Sequence, residues 1–437
     1  MRVLILADDC NPCWPSLPVV GYKFARAIAD YAEVTVATQI RNQSNIEKAG
    51  FGKAKVVYLD TEKVAAPLYK LAGLLRGGSN KAWTTQIAMN YPSYLAFEWE
   101  AWRHFRRELQ AGCFDIVHRV TPMTPTLPSL IASRSPVPFV LGPLNGNLPW
   151  PKQFRDEQVR ERELLSQLRA AYKFLPFYRS TYQRSACILT AFSHTAADLP
   201  PSAIDKLIDF PEIGIDPELF QRVERQPNQR LTVLFVGRLV PYKLPEVVVR
   251  AFAASSILQQ HQLIIVGEGP ERPRLEALIQ THNLEQCVKL VGQKSQAEVG
   301  ELMRNAEIFA FPSIRELGAG VVIEAMACGM ACIVVNYGAP GELTQNGKGE
   351  KVNLGNLAAI ADEFTTKLEK LILNPAQIDS FSSQAYAYAM QYFTWDQKAL
   401  KMLEIYEWVK TKQGSKPSFW QPQNQPCKSR EPAGIPD

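Results

Sequence analysis

Short apolar runs recur along the chain, and longer stretches with helical spacing lie between them. In the first half, Val3–Ala7, Val34–Thr38, Ile116–Val120, Phe139–Leu141 and Cys187–Ala191 predict strands, while Gly21–Tyr31 and Trp99–Gln110 predict helices. This alternation predicts a parallel sheet covered on both faces, with ligands at the carboxyl ends of its strands. A polar stretch, Gln221–Arg230, separates it from a second series. There Leu231–Val236, Leu263–Val266, Val288–Val291, Ile308–Phe311 and Ala331–Val335 predict the strands. The pattern predicts domains over residues 1–216 and 217–392, then helical residues 393–411. The tail, 412–437, is rich in Gln, Pro, Ser and Lys and predicts disorder. Residues 41–98 read as irregular. They hold an apolar-basic segment (Ala65–Arg76) and an aromatic cluster (Trp83, Tyr91, Tyr94, Phe97, Trp99) that fits a core, an acceptor cleft or lipid contact.

The length of 437 residues agrees with two or three domains, and 46 % apolar residues are ample for their cores. A net charge of +5 suits an anionic ligand or a membrane surface and falls far short of a nucleic-acid binder's basic stripe. No apolar run approaches the about 18 residues of a membrane span. The start, Met1 to Asp9, meets acids too early for a signal peptide and predicts a first strand. Eight cysteines, several in apolar stretches, predict reduced thiols in the cytosol. Cys10 and Cys13 form a C-x-x-C pair without a second pair or a nearby histidine, which leaves plain loop residues beside metal or redox use.

The densest chemistry lies between Phe311 and Val335. A strand ends at Pro312-Ser313, a glycine-bearing loop follows, and a short helix stops near Gly329. Glu316 lies in the loop and Glu324 in the helix. The helix is apolar on every face, so Glu324 must meet a basic residue or a hydroxyl-rich ligand, because an unpartnered buried carboxylate costs several kcal/mol or more. Around Glu316, Leu317, Gly318, Ala319 and Gly320 bring backbone amides to a helix N-terminus, a setting for an anion. Upstream, Gly237-Arg238 ends a strand and Lys243 follows before a helix. Arginine offers a planar fork to phosphate and lysine a compact charge. These groups together predict a site for a phosphate beside sugar hydroxyls.

Pro-Ser, a gap, Glu316, seven residues, then Glu324-Ala-Met-Ala-x-Gly resembles the signature of the retaining family 4 glycosyltransferases (glycosyl transferases group 1). Gly-Arg238-x-x-x-x-Lys243 and Gly267-x-Gly-Pro match the same family. The resemblance implies the α/β GT-B fold, two Rossmann-like domains whose parallel sheets face across a cleft. It further implies an acceptor domain first, a donor domain second, and a terminal helix crossing back. The implied reaction moves a sugar from a nucleotide diphospho-sugar to a hydroxyl of a glycan, polysaccharide or lipid-linked acceptor, with retention, no metal and no cofactor. The implied donor-binding residues are Arg238, Lys243, Glu324, Leu317, Gly318, Ala319, Gly320, Gly267, Val291 and Gly21. Glu316 and His118 are the implied catalytic pair. A cytoplasmic enzyme follows, with peripheral contact at the inner face of the membrane left open.

The first half departs from the family pattern. The glycine pair of the first loop is reduced to Gly21 after Val20, which leaves a purely packing glycine as an alternative. Of the usual His-x-His only His118 remains, with Val120 in the second place, so His118 is either a sugar contact or a core histidine, and Arg119 and Thr121 lie at the same strand end. Asn145 and Gly146 stand in a Gly-Pro-x-x-Gly segment that is either a cleft wall or a plain turn. Residues 152–184 predict a long charged helix, solvated or lying on an anionic membrane. These departures also keep open a catalytically inactive GT-B protein that binds nucleotide sugars for a partner.

Overall fold

The computed structural model describes residues 1–63, 83–160, 171–225 and 230–421. The first sheet contains β1 (Arg2–Ala7), β2 (Glu33–Gln39), β3 (Lys55–Leu59), β4 (Ile116–Thr121), β5 (Phe139–Leu144), β6 (Cys187–Thr190) and β7 (Leu207–Asp209), in the order β3-β2-β1-β4-β5-β6-β7. The second contains β8 (Thr232–Val236), β9 (Gln262–Val266), β10 (Val288–Gly292), β11 (Ile308–Phe311), β12 (Ala331–Val335) and β13 (Gly349–Val352), in the order β10-β9-β8-β11-β12-β13. Every pairing is parallel. Strands β4, β5, β11 and β12 are buried along their whole length, as helices on both faces require.

In each sheet the order reverses beside the first strand: β1 lies between β2 and β4, and β8 between β9 and β11. The carboxyl ends of strands at such reversals frame ligand crevices in open α/β sheets. Arg238, Lys243 and the Leu317–Gly320 loop follow β8 and β11, whereas Val291 lies in the edge strand β10 and Glu324 in the helix after the loop.

Residues 41–98 are more regular than expected. They form a helix (Gln43–Ala49), β3, and the start of a helix running Trp83–Gln110. Tyr91, Tyr94 and Phe97 are buried in the first core, whereas Trp99 is half exposed. The Ala65–Arg76 segment and the Trp83 side chain lie outside the described residues. The charged region is not one continuous helix. It contains short helices at Arg155–Arg160 and Tyr178–Arg184; Tyr178 and Tyr182 are buried and Phe174 is exposed. Among the described residues no helix is long and apolar enough to cross a membrane.

The terminal helix Trp395–Thr411 packs on the first-domain helix Leu17–Ala29. Thr394 caps it by accepting a hydrogen bond from the Gln397 amide. The expectation of disorder from residue 412 needs correction as far as residue 421. Phe419 is buried against Phe210, with ring centroids 5.0 Å apart, and Trp420 stacks on Tyr388 at 5.9 Å. Two aromatic anchors outweigh a polar composition. Residues 422–437 lie outside the described residues.

Candidate active site

Lys243 and Glu316 meet directly. Lys243 sits in a tight turn, Pro241–Lys243, beyond β8, and Glu316 lies in the loop beyond β11. The Lys243 Nζ donates to Glu316 Oε1, and Ser313 Oγ donates to the same oxygen at 3.1 Å. The ammonium lies 4.9 Å from the Phe311 ring centroid and 5.5 Å from that of Tyr242. Both side chains are mostly buried, at 11 % and 16 % exposure, so their attraction is screened less than that of a surface pair. Arg238 is exposed and donates to the Tyr242 hydroxyl at 3.2 Å. A fixed carboxylate–ammonium pair thus stands beside a solvent-facing guanidinium.

Gly267 binds this corner together. Its amide donates to the Gly292 carbonyl at 2.8 Å, and the Gly237 amide donates to the Val266 carbonyl at 3.0 Å. A Cβ on Gly267 would lie 1.9 Å from the Gly237 carbonyl oxygen. Val291, in β10, is partly buried at the same edge.

The loop Leu317–Gly320 abuts the first domain. Ala319 takes the left-handed conformation (φ 48°) and starts the helix Gly320–Ala327. A Cβ on Gly318 would lie 2.0 Å from Glu212 Oε1. Glu212 is buried and accepts from the Asn145 amide, and burial raises its carboxyl above the usual range. Among the described residues, Glu212 Oε2 and Asn145 Oδ1 meet no hydrogen-bond partner. Lys398 of the terminal helix is also buried and donates to the Pro211 carbonyl, and burial lowers its ammonium to about 7.

Glu324 is partly exposed on the Gly320–Ala327 helix. Burial raises its carboxyl to about 7; Lys23 of the first domain opposes that shift and Asp216 reinforces it. Lys23 itself pairs with Asp216 at 2.5 Å. The basic residue expected near Glu324 therefore comes from the other domain and is shared with another carboxylate.

The first-domain expectations fare differently. His118 does not reach the cleft. It is fully buried in the central strand β4, with Nδ1 2.6 Å from the Tyr406 hydroxyl and Nε2 2.7 Å from the Gly142 carbonyl oxygen. A carbonyl only accepts, so Nε2 carries the proton and Nδ1 accepts from Tyr406. Burial lowers the imidazole to about 4, so it stays neutral. Tyr406→Phe leaves Nδ1 without a donor. The expected loss is about 1–3 kcal/mol of stability by denaturant titration, with transfer unchanged. Arg119 is buried too and holds the Thr124 carbonyl at 3.2 Å. Thr121 donates to the Asp9 carbonyl at 2.9 Å. A Cβ on Gly21 would meet Thr121 Cγ2 at 2.7 Å and the Asp9 carbonyl at 2.8 Å, so this glycine lets its helix close onto the ends of β1 and β4. Asn145 reaches the site through Glu212. Cys10 is buried and Cys13 exposed, and both are free thiols.

Two groups were not anticipated from sequence. Glu212 interrupts the apolar run Phe210-Pro211-Glu212-Ile213, which is the one cue it left. Asp8 and Asp9 directly follow β1, where burial raises Asp8 to about 7 while Arg41, 3.6 Å away, opposes the shift. Among the described residues no group of three or more His, Cys, Asp or Glu side chains is placed to hold a metal.

Two parallel α/β domains facing each other, each with its strand order reversed beside its first strand, define a protein of the GT-B fold. Residues 216–388 match the sequence profile of the family described as "Glycosyl transferases group 1", so the chain carries a domain of that family. The chain is 30 % identical over 203 residues to D-inositol 3-phosphate glycosyltransferase of Rhodococcus erythropolis (strain PR4 / NBRC 100887), covering 44 % of this chain and 45 % of that protein. It is 30 % identical over 152 residues to 2-deoxystreptamine N-acetyl-D-glucosaminyltransferase of Niallia circulans, covering 34 % and 39 %. The matched stretch spans less than half the length of these curated relatives. Among solved structures, sucrose-phosphate synthase from Thermosynechococcus elongatus aligns with a TM-score of 0.63 at 17 % identity, over 94 % of this chain and 100 % of that one. Anabaena Alr3699/HepE, solved with UDP-glucose, aligns with a TM-score of 0.57 at 16 % identity, over 92 % and 99 %. These likenesses establish the shared fold.

Proposed function

We propose that the protein is a retaining glycosyltransferase that moves a sugar from a nucleotide diphospho-sugar to a hydroxyl acceptor. The carrying observation is the contact of Lys243 with Glu316 beside Arg238 and the Gly318–Gly320 loop. Negative charge develops on the departing diphosphate, and Arg238, Lys243 and the loop amides oppose it from fixed positions. Glu316 holds donor-sugar hydroxyls and supports positive charge at the anomeric carbon. The carboxylate of Glu324 accepts from ribose hydroxyls. A phosphate oxygen of the donor takes the acceptor's proton, which requires no protein base and delivers the acceptor to the face the diphosphate leaves.

UDP-glucose, present in the Anabaena structure, is the first donor to try. The protein is incubated with a panel of nucleotide sugars, with and without acceptor saccharides, and released nucleoside diphosphate is measured. At least one donor should release it faster with acceptor present, and proton NMR of the product should show the donor's anomeric configuration. No release from any donor refutes transfer, and an inverted product refutes retention.

The Glu324 carboxyl adds a pH dependence. Because its value is raised to about 7, the ribose-accepting carboxylate forms as pH rises through that value. Nucleoside diphosphate affinity measured calorimetrically should therefore increase between about pH 6 and about pH 8. Glu324→Gln should weaken binding and flatten this rise; an unchanged slope in the variant removes Glu324 from the ribose.

A further inference from the structure

A first-domain segment reaches across to the Lys243–Glu316 corner. Beyond β5 the chain runs through Leu148-Pro149-Trp150-Pro151 into the tight turn Lys152–Phe154 and the helix Arg155–Arg160. The second domain holds this segment at three points. The Tyr337 hydroxyl donates to the Pro149 carbonyl at 2.8 Å. Leu148 fits against Gly338, where a Cβ would lie 2.7 Å from Leu148 Cδ2. Arg160 pairs with the buried Glu271. Trp150 stands between two prolines, which narrow its own backbone choices as well as theirs.

Trp150 touches both arms of the corner. Its ring stands at right angles to that of Tyr242, with centroids 6.4 Å apart, and the Arg315 guanidinium carbon lies 5.1 Å from its centroid. Tyr242 joins the parts of the donor site. Its hydroxyl accepts from Arg238 at 3.2 Å, its ring centroid lies 5.5 Å from the Lys243 ammonium, and its carbonyl accepts from the Ile314 amide at 3.0 Å. Arg315 directly precedes Glu316. Ring–ring and cation–π contacts have preferred geometries, so one indole against both side chains restricts how each can sit.

We propose that Trp150 is a positioning residue for transfer: packed on Tyr242 and Arg315, it fixes Arg238 and Glu316 in their reacting places when the first domain closes on the second. This role rests on the transferase reading. On that reading the donor's diphosphate and ribose meet groups of the second domain. Those groups keep their mutual contacts without Trp150, since Lys243 holds Glu316 and Tyr242 holds Arg238. What Trp150 adds exists only with the domains together. An interaction made only in the closed state speeds the reaction and contributes little to binding of the nucleotide.

The test compares the full-length protein with Trp150→Ala and Trp150→Phe, using a panel of UDP- and GDP-sugars and measuring released diphosphate. In Trp150→Ala, kcat should fall by about tenfold or more, the combined worth of two ring contacts. The value of kcat/KM for the donor should fall by the same factor. Calorimetric affinity for UDP or GDP, whichever the donor carries, should stay within about twofold. Trp150→Phe keeps a ring against both partners and should recover most of the rate. A merely structural tryptophan would lower the thermal midpoint and leave kcat alone. Unchanged kcat in folded Trp150→Ala, or weaker diphosphate binding with unchanged kcat, overturns the positioning role. Release of no diphosphate by the unmodified protein overturns the transferase reading instead. Hydrogen exchange then decides whether Trp150 orders the corner, through the Lys243 and Leu244 amides, which donate to the Val240 and Pro241 carbonyls at 3.1 Å. Faster exchange of these amides in Trp150→Ala supports that ordering, and unchanged exchange overturns it.

Discussion

Arg238→Ala should lower the transfer rate by about 10²–10³ without loosening the protein, because one fixed donor to developing charge is worth that much. Arg238 is exposed and its one contact described here is the Tyr242 hydroxyl, so its removal should cost less than about 0.5 kcal/mol of stability. Lys243→Ala should slow transfer by a similar factor but for two mixed reasons. It removes a cation and also strands the mostly buried Glu316 carboxylate. The separation is experimental. Lys243→Ala combined with Glu316→Gln should recover thermal stability and recover no transfer. The double variant Arg238→Ala/Lys243→Ala should fall less than the product of the single effects, since groups acting as one unit are not additive. Turnover like that of the unmodified protein in the double variant would remove the diphosphate from this corner.

The second domain was the more legible half for a physical reason. Its functional groups sit in loops that directly follow central strands, and central strands of a doubly covered sheet are continuous apolar runs. The Lys243–Glu316 contact joins two such loops. The strands missed were β3, β7 and β13. Lys55–Leu59 and Gly349–Val352 are edge strands, half solvated and carrying charge, and Leu207–Asp209 is only three residues long. Gly349–Val352 and Leu207–Asp209 offer little apolar run to read, whereas Val56-Val57-Tyr58-Leu59 is apolar and lay hidden inside a stretch, residues 41–98, read as irregular.

What stayed hidden depends on contacts between distant segments. His118 looks like a rim residue because it stands near a strand end. Its environment is set by Tyr406, which the terminal helix brings across from the far end of the chain. Glu212 and Gly318 meet across the domain junction, and Lys23 meets Asp216 at the end of the first domain. No local periodicity encodes such meetings. They decide where the first domain touches the site, which is also where its sequence departs from the family pattern. The departures fall at Val20 and Val120, both buried, while the polar pair Asn145 and Glu212 faces the glycine loop.

Gly267→Ala should be the most damaging small substitution in the second domain. The backbone there has φ 137°, and the new Cβ would lie 1.9 Å from the Gly237 carbonyl oxygen. The obstacle is the main chain at the end of β8, not a side chain that can turn away. Backbone strain of about 1–3 kcal/mol adds to about 1–3 kcal/mol of overpacking. The thermal midpoint should fall by roughly 4–24 °C, given about 2–4 °C per kcal/mol for a domain of this size. Relief requires the ends of β8 and β9 to separate, and Arg238 follows Gly237 directly, so nucleoside diphosphate affinity should fall as well. Gly414→Ala is the matched control. Its φ is also positive, at 78°, but a Cβ there meets nothing within 4 Å, so the cost should stay near the about 1 kcal/mol of the backbone conformation alone. Differential scanning of both variants measures the difference. If Gly267→Ala melts no lower than Gly414→Ala, β9 does not press on β8 at this point, and the glycine does not set the position of Arg238.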